Sequence, residues 1–192
     1  MKTRIITAIA VSLSVMGALG VMGAASAQQS TIVVGHSAAA NCYQHAVQQR
    51  SDQMALRDCD SALRDNRTGR ADRKKTLVNR SVILLRMGRP EQALADLEAA
   101  TRLRFDPPEV FLNYSAAYIR LGRNREAIAA ATEAIERGFH RPQQAHFNRA
   151  VAYENIGDLP AATADYRQAS QLAPEWLPPQ RELERFTVNN GS

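Results

Sequence analysis

Residues that could carry out chemistry are few in this chain and widely separated. The four histidines are His36, His45, His140 and His146. They show no HExxH-type spacing and no accompanying cluster of carboxylates, so the sequence predicts no metal site. Gly35-His36-Ser37 is not a nucleophile elbow, because a second glycine is missing and no strand precedes a helix there. No glycine-rich phosphate loop occurs beyond residue 27. We therefore predict a non-enzyme that needs no cofactor.

The N-terminus has the pattern of an export signal. Residues 1–4 carry Lys2 and Arg4, residues 5–25 are apolar and uncharged, and Ala25-Ser26-Ala27 has small residues where a signal peptidase cleaves. We predict a signal peptide over residues 1–27, cleaved after Ala27, in a periplasmic or secreted protein with no stable membrane insertion. Because the apolar run is long for a signal peptide, an uncleaved anchor stays open. Residues 28–38 are predicted to form a flexible linker.

Basic side chains are concentrated in one stretch. The chain has 24 Lys and Arg against 19 Asp and Glu, and cleavage after Ala27 would leave 22 basic residues. The concentrated ones are Arg64, Arg67, Arg70, Arg73, Lys74 and Lys75, with Asp65 and Asp72 among them. The more specific interpretation of such a cluster is nucleic-acid binding, and the more general one is a solvated loop. An exported protein meets little nucleic acid, so we expect a solvated loop and no nucleic-acid partner. Contact with an anionic envelope surface stays open.

Three stretches of the chain repeat at a fixed period. Each has a glycine followed five residues later by an alanine, and successive glycines are 34 and 35 residues apart. The glycines are Gly88, Gly122 and Gly157, and the alanines are Ala93, Ala127 and Ala162. A period of this length is typical of stacked helical hairpins, in which no unit buries its apolar face without a neighbour.

With each glycine at repeat position fifteen, the pattern resembles the tetratricopeptide repeat (TPR) family. Position eight holds the small residues Ser81, Ser115 and Ala150, and position eleven holds Leu84, Tyr118 and Tyr153. The resemblance implies an all-α fold, a right-handed superhelix (solenoid) of TPR hairpins with a C-terminal capping helix. The three clear units are residues 74–107, 108–142 and 143–176. Residues 177–192 are assigned to the capping helix, bearing Leu183 and Phe186, and to a tail.

A degenerate hairpin is predicted before the clear units, over residues 39–73, with Arg50 rather than glycine at its turn. In this register Cys42 and Cys59, the only cysteines, occupy positions seven and twenty-four, which face each other across a hairpin. An oxidising compartment would allow a disulfide that closes a loop of about 18 residues and contributes on the order of 3 kcal/mol. Two buried free thiols are the alternative.

In TPR superhelices, positions five, nine and twelve of each first helix line the concave groove. The resemblance places there Val78, Val82, Leu85, Leu112, Ala116, Ile119, Phe147, Val151 and Glu154, with Arg86 and Arg120 at the edge. All but Glu154 are apolar, which favours a groove for an apolar or amphipathic peptide segment. Burial of these side chains as core is the alternative. The carboxylate clamp of chaperone-binding members is absent, because Val78, Val82 and Gln144 stand at three of its positions.

The sequence thus favours a non-catalytic adaptor or scaffold of the cell envelope that binds protein or peptide segments of unknown identity. The alternative is a structural or assembly subunit that self-associates, as a homo-oligomer, or joins one envelope complex through the same groove. Size-exclusion chromatography with light scattering separates the two, since an adaptor is expected to stay monomeric at every concentration.

Overall fold

The computed structural model describes residues 37–189. The signal peptide and all but the last two linker residues predicted from the sequence lie outside these described residues. Within 37–189 the chain folds into nine α-helices without a strand. They are α1 (Ala38–Val47), α2 (Gln53–Arg64), α3 (Arg70–Arg86), α4 (Pro90–Arg102), α5 (Pro108–Arg120), α6 (Asn124–Glu136), α7 (Pro142–Asn155), α8 (Leu159–Leu172) and α9 (Leu177–Asn189).

The helices form four hairpins that stack on one another. The pairs are α1 with α2, α3 with α4, α5 with α6, and α7 with α8, and α9 packs on α8. The first helices of successive hairpins also touch, α1 with α3, α3 with α5, and α5 with α7. The all-α solenoid with a capping helix, predicted from the repeat period, is confirmed. In the described part of the chain, no helix combines the length and hydropathy needed to cross a membrane.

Small residues set the distance between the two helices of a hairpin. Ala93, Ala127 and Ala162 are fully buried in the second helices. Ser81 and Ser115 are fully buried in the first helices, and their hydroxyls donate to the carbonyl oxygens of Val78 and Leu112 at 2.7 Å. The close approach therefore leaves no buried hydroxyl without a partner.

The turns inside the hairpins need a left-handed residue. Gly88 adopts φ 71° there, and its N–H and that of Arg89 bond to the carbonyls of Leu85 and Leu84. In the first hairpin Gln49, not Arg50, takes this place, with φ 60° and the equivalent bonds to Ala46 and His45. The expected turn position was wrong by one residue, because this turn contains one residue more than the others. Cys42 consequently occupies the position of Ser81.

A disulfide joins the two helices of the first hairpin. Cys42 in α1 and Cys59 in α2 are fully buried, and their Cα atoms are 4.7 Å apart. They pack against Ile83 of α3, which is also fully buried. Beside them, the imidazole Nε2 of His45 lies 2.8 Å from the Asp58 carboxylate. The cross-link therefore lies at the contact between the first hairpin and the second.

Partly buried arginines tie further helices together. The guanidinium of Arg80 in α3 donates to Asp60 in α2 at 2.7 Å and to both carboxylate oxygens of Asp96 in α4 at 2.6 and 2.7 Å. Burial raises the pKa of Asp96, and the hydrogen bonds from Arg80 oppose that shift. Such a pair requires both members, since either charge alone would be buried without compensation.

The fourth hairpin contains an equivalent arginine–aspartate pair, and its carboxylate has one more hydrogen-bonding partner. Arg149 donates to both oxygens of Asp165 at 2.7 and 2.8 Å, and His146 Nδ1 lies 2.8 Å from the same carboxylate. Burial raises the pKa of Asp165, but the hydrogen bonds from Arg149 and His146 outweigh it and hold that pKa below its ordinary value of 3.8.

The last helix covers the fourth hairpin. Leu183 packs against the cluster of Ala150, Ala162 and Tyr166, and Arg185 donates to the Glu154 carboxylate at 2.6 Å. Glu154 is the one charged residue at a predicted groove position, and this hydrogen bond pairs it with a residue of the same chain. The side chain of Phe186 lies outside the described part of the structure.

Candidate functional site

Two of the predicted groove residues are core residues. Val78 and Leu85 are 9% and 6% exposed and belong to the same buried cluster as Leu84 and Ala117. Both lie on α3, which packs against α1, α2, α4 and α5, so neighbouring helices cover them. For these two positions, the interpretation as core is the right one.

The other predicted positions keep part of their surface exposed. The half-buried ones are Val82, Leu112, Ala116, Ile119, Phe147 and Val151. The two arginines expected at the groove edge differ from each other. Both are exposed, but Arg86 donates to the carbonyl oxygen of Ala46 at 2.8 Å and so caps the end of α1, whereas Arg120 makes no side-chain hydrogen bond within the described residues. The accessible part of the predicted groove is therefore concentrated on α5 and α7.

A pocket of about 280 Å³ opens between these two helices. Its lining consists of Leu112, Asn113, Ala116, Gln144, Phe147, Asn148 and Trp176. Three of these residues were predicted from the repeat register. The four others are three amide side chains and the single tryptophan of the chain. No acidic or basic side chain lines the pocket, so its surface suits an uncharged group.

Trp176 lines one end of the pocket from the last position of the third clear unit. It lies just before α9, and its ring centroid is 5.2 Å from that of Phe147. The Phe147 ring in turn makes an edge contact with Tyr166 at 5.5 Å. Tyr166 is almost fully buried and donates its hydroxyl proton to Glu154 at 2.9 Å. This chain of aromatic contacts fixes the orientation of the Phe147 ring that the pocket presents.

The amides provide hydrogen-bonding capacity at the rim of the apolar surface. Asn148 Nδ2 donates to the Ser115 hydroxyl at 2.8 Å, which positions its carboxamide against α5. Asn113 and Gln144 are half-buried, and neither makes a side-chain hydrogen bond to another residue of the described range. Each amide offers both a donor and an acceptor, which is the pair of functions that a peptide backbone satisfies.

Sequence reasoning missed Trp176 and the amides as site residues. Trp176 is the last residue of the third clear unit, and it was not predicted as a site residue because it lies outside the repeat positions that line a groove. Asn113 and Asn148 share repeat position six, and this recurrence was the available signal. Within residues 37–189, no group of three or more His, Cys, Asp or Glu side chains is arranged to hold a metal ion.

Comparison with known proteins agrees with this architecture. Two family models, each described as a tetratricopeptide repeat, match residues 75–107 and residues 115–175. The fold is similar to that of MamA 41-end from Desulfovibrio magneticus RS-1, with a TM-score of 0.65, 17% identity, and coverage of 81% of this chain and 86% of that one. A MamA RS-1 ArsTM double mutant gives a TM-score of 0.64 at 17% identity, covering 82% and 87%. No curated protein matches the chain by sequence.

The stacked hairpins, the turn glycines and both repeat matches define a helical-repeat protein of the scaffold class. The chain belongs to the tetratricopeptide repeat family. Its general function is therefore that of a protein–protein interaction scaffold. At 17% identity, the likeness to MamA concerns the fold alone.

Proposed function

We propose that the protein is a non-catalytic adaptor of the cell envelope that binds an apolar or amphipathic peptide segment in the pocket between α5 and α7. The observation that carries the proposal is the pocket's composition. Leu112, Ala116, Phe147 and Trp176 supply an uncharged apolar surface, and amide side chains stand among them. A concave apolar surface with a few polar groups among it is the usual form of a ligand-binding site.

The size of the pocket limits what it can hold. About 280 Å³ accommodates one large apolar side chain, not a whole helix. An occupant would insert such a side chain between Phe147 and Leu112, while its neighbouring backbone amides meet Asn113 and Gln144. We therefore propose a short peptide segment with one bulky anchor residue as the ligand class.

Placement in the envelope rests on two features of the chain. The N-terminal residues have the pattern of an export signal, and the only two cysteines are joined in a disulfide. Disulfides persist in oxidising compartments and are rare in the cytosol. Mass spectrometry of protein from the envelope fraction, alkylated without reduction, tests both features. We expect Gln28 at the N-terminus and a linked Cys42–Cys59 peptide.

Trp176 provides a direct assay, because it is the only tryptophan and it lines the pocket. We propose screening a panel of synthetic amphipathic peptides that contain no tryptophan and carry one Leu, Phe or other aromatic anchor residue. Binding is followed by the fluorescence emission of Trp176. Binding at the pocket should shift the emission maximum saturably. Leu112→Asp should abolish the shift while helicity by circular dichroism is retained. The matched control is Ile156→Asp, an exposed apolar residue remote from the pocket lining.

Two outcomes would contradict the proposal. If Leu112→Asp loses its helicity, Leu112 is core, and Asn113→Leu becomes the variant that decides, since it removes an amide without burying a charge. If neither variant changes peptide binding, the pocket is not the site. An obligate dimer in light scattering, converted to a monomer by Leu112→Asp, would instead favour the alternative function, a self-associating assembly subunit.

A further inference from the structure

The second hairpin begins with a helical turn that the repeat does not require. Helix α3 has 17 residues, whereas α5 has 13, and the additional four lie at its N-terminus, over Arg70–Arg73. These four residues are all exposed, so the additional turn contributes no side chain to the core. Hairpin packing therefore does not explain why this turn is present.

Basic side chains at the end of α2, in the following loop and at the start of α3 form a cluster, which we call the α2–α3 basic patch; all are exposed except Lys74, which is half-buried. It consists of Arg64, Arg67, Arg70, Arg73, Lys74 and Lys75. Arg67 pairs with Asp65 at 2.9 Å. The other five make no ion pair with any side chain in the described range. Most of the positive charge is thus available to an external partner.

The position of these charges is unfavourable for the helix itself. Arg70 and Arg73 lie in the first turn of α3, where the helix dipole disfavours cations. The N-cap residue is Gly69, which makes no side-chain capping hydrogen bond. Asp72 in the same turn offsets part of this effect, whereas α5 starts with Pro108 and Glu109 and has no cation in its first turn. Helix stability does not account for the two arginines of this turn either.

Three of the basic residues point the same way and lie at the edge of the solenoid. Arg70, Arg73 and Lys74 are spaced i, i+3, i+4, so they share one face of α3. Since consecutive helices run antiparallel, the end of α2 and the start of α3 lie at the same edge as Ser37, the start of the described chain. Several charges can therefore meet one extended anionic surface together.

We propose that the α2–α3 basic patch binds the phosphate headgroups of an anionic lipid bilayer by charge, holding the adaptor against a membrane surface. Residues 64–75 contain no aromatic side chain on which nucleic-acid bases could stack, which argues against single-stranded nucleic acid as the occupant. The partner instead fits a dense, planar array of phosphates, which attracts clustered Lys and Arg without insertion. The patch lies on α2 and α3, apart from the pocket lining, so both sites can be occupied together.

The test is co-sedimentation of the purified protein, residues 28–192, with vesicles. Vesicles of mixed phosphatidylglycerol and phosphatidylcholine should bind it, pure phosphatidylcholine vesicles should not, and added salt should release it. The triple variant R70Q/R73Q/K74Q should lower the vesicle partition coefficient roughly a hundredfold, from about fivefold per basic residue. The control R125Q/R167Q/R181Q removes the same charge at exposed sites elsewhere and should bind nearly as wild type does.

Four results would overturn the proposal. Equal loss in the test and control variants would show that only net charge matters. Equal binding to both kinds of vesicle would exclude headgroup charge as the cause. Tighter binding to duplex DNA than to the anionic vesicles, lost in the test variant, would assign the patch to nucleic acid. Inorganic phosphate at matched ionic strength should not compete, and competition would assign the patch to free phosphate. Circular dichroism establishes that every variant is folded.

Discussion

Removing the Cys42–Cys59 disulfide should loosen the first hairpin selectively. The two cysteines are 17 residues apart, and cross-linking a loop of this length lowers the entropy of the unfolded chain by an amount worth about 3 kcal/mol. The double variant Cys42→Ala/Cys59→Ala is the appropriate perturbation, because one other hairpin has a fully buried alanine at each of the two equivalent positions. These alanines are Ala150 in the fourth hairpin and Ala131 in the third. The substitution therefore removes the cross-link without placing a foreign side chain in the hairpin.

The predicted effect is local, since the main contacts of α1 and α2 are with each other and with α3. We expect urea unfolding to show a loss of about 3 kcal/mol in the first hairpin, and hydrogen exchange to accelerate in α1 and α2 before α7 and α8. The control is Ser115→Ala, which changes a buried position in the third hairpin. A loss below about 1 kcal/mol with unchanged exchange in α1 and α2 would refute the reasoning. It would mean that packing on Ile83 alone holds the hairpin.

Three further predictions concern charges and turns. Arg80→Leu should lower the free energy of unfolding by about 3–5 kcal/mol by leaving Asp96 buried and unpaired, whereas Arg80→Leu/Asp96→Leu should recover most of it in urea titrations. Because the folded-state pKa of Asp165 lies below 3.8, its stabilisation is present above that pH and lost as the pH falls through the folded-state value. Asp165→Asn should therefore flatten the pH dependence of unfolding below about pH 4. Gln49→Gly should raise the free energy of unfolding by about 1 kcal/mol, and Gly88→Gln should lower it by about as much, because both positions have positive φ. A Cβ at Gly88 meets only open space, so the backbone conformation alone sets the cost there.

The sequence specified the hairpins well because their determinants are local. A turn glycine and a small residue five positions later constrain one hairpin each, and both recur at a fixed period. The shift from Arg50 to Gln49 illustrates the limit of this reasoning. One additional residue in a turn changes the register of one helix without changing the composition of the repeat, so only the backbone conformation reveals it.

Groove residues were harder to predict, because exposure depends on the neighbouring helices. Val78, Leu112 and Phe147 occupy the same repeat position, yet Val78 belongs to the core and the other two line the pocket. Periodicity on one helix identifies the face but not what covers it. The two exposed arginines at position thirteen differ for the same reason, since only Arg86 has the end of α1 beside it as an acceptor.

The same comparison indicates which part of the solenoid carries specificity. Each hairpin repeats the same small residues at its interior, so these positions fix the spacing of helices and cannot distinguish one ligand from another. Trp176, the last residue of the third clear unit, meets Phe147 at one end of the pocket and is the single tryptophan of the chain. Because Trp176 directly precedes the cap, we expect ligand choice at the proposed site to depend on the junction between the last repeat and its cap. Exchanging that junction should change the preferred anchor residue, while the preceding hairpins keep their fold.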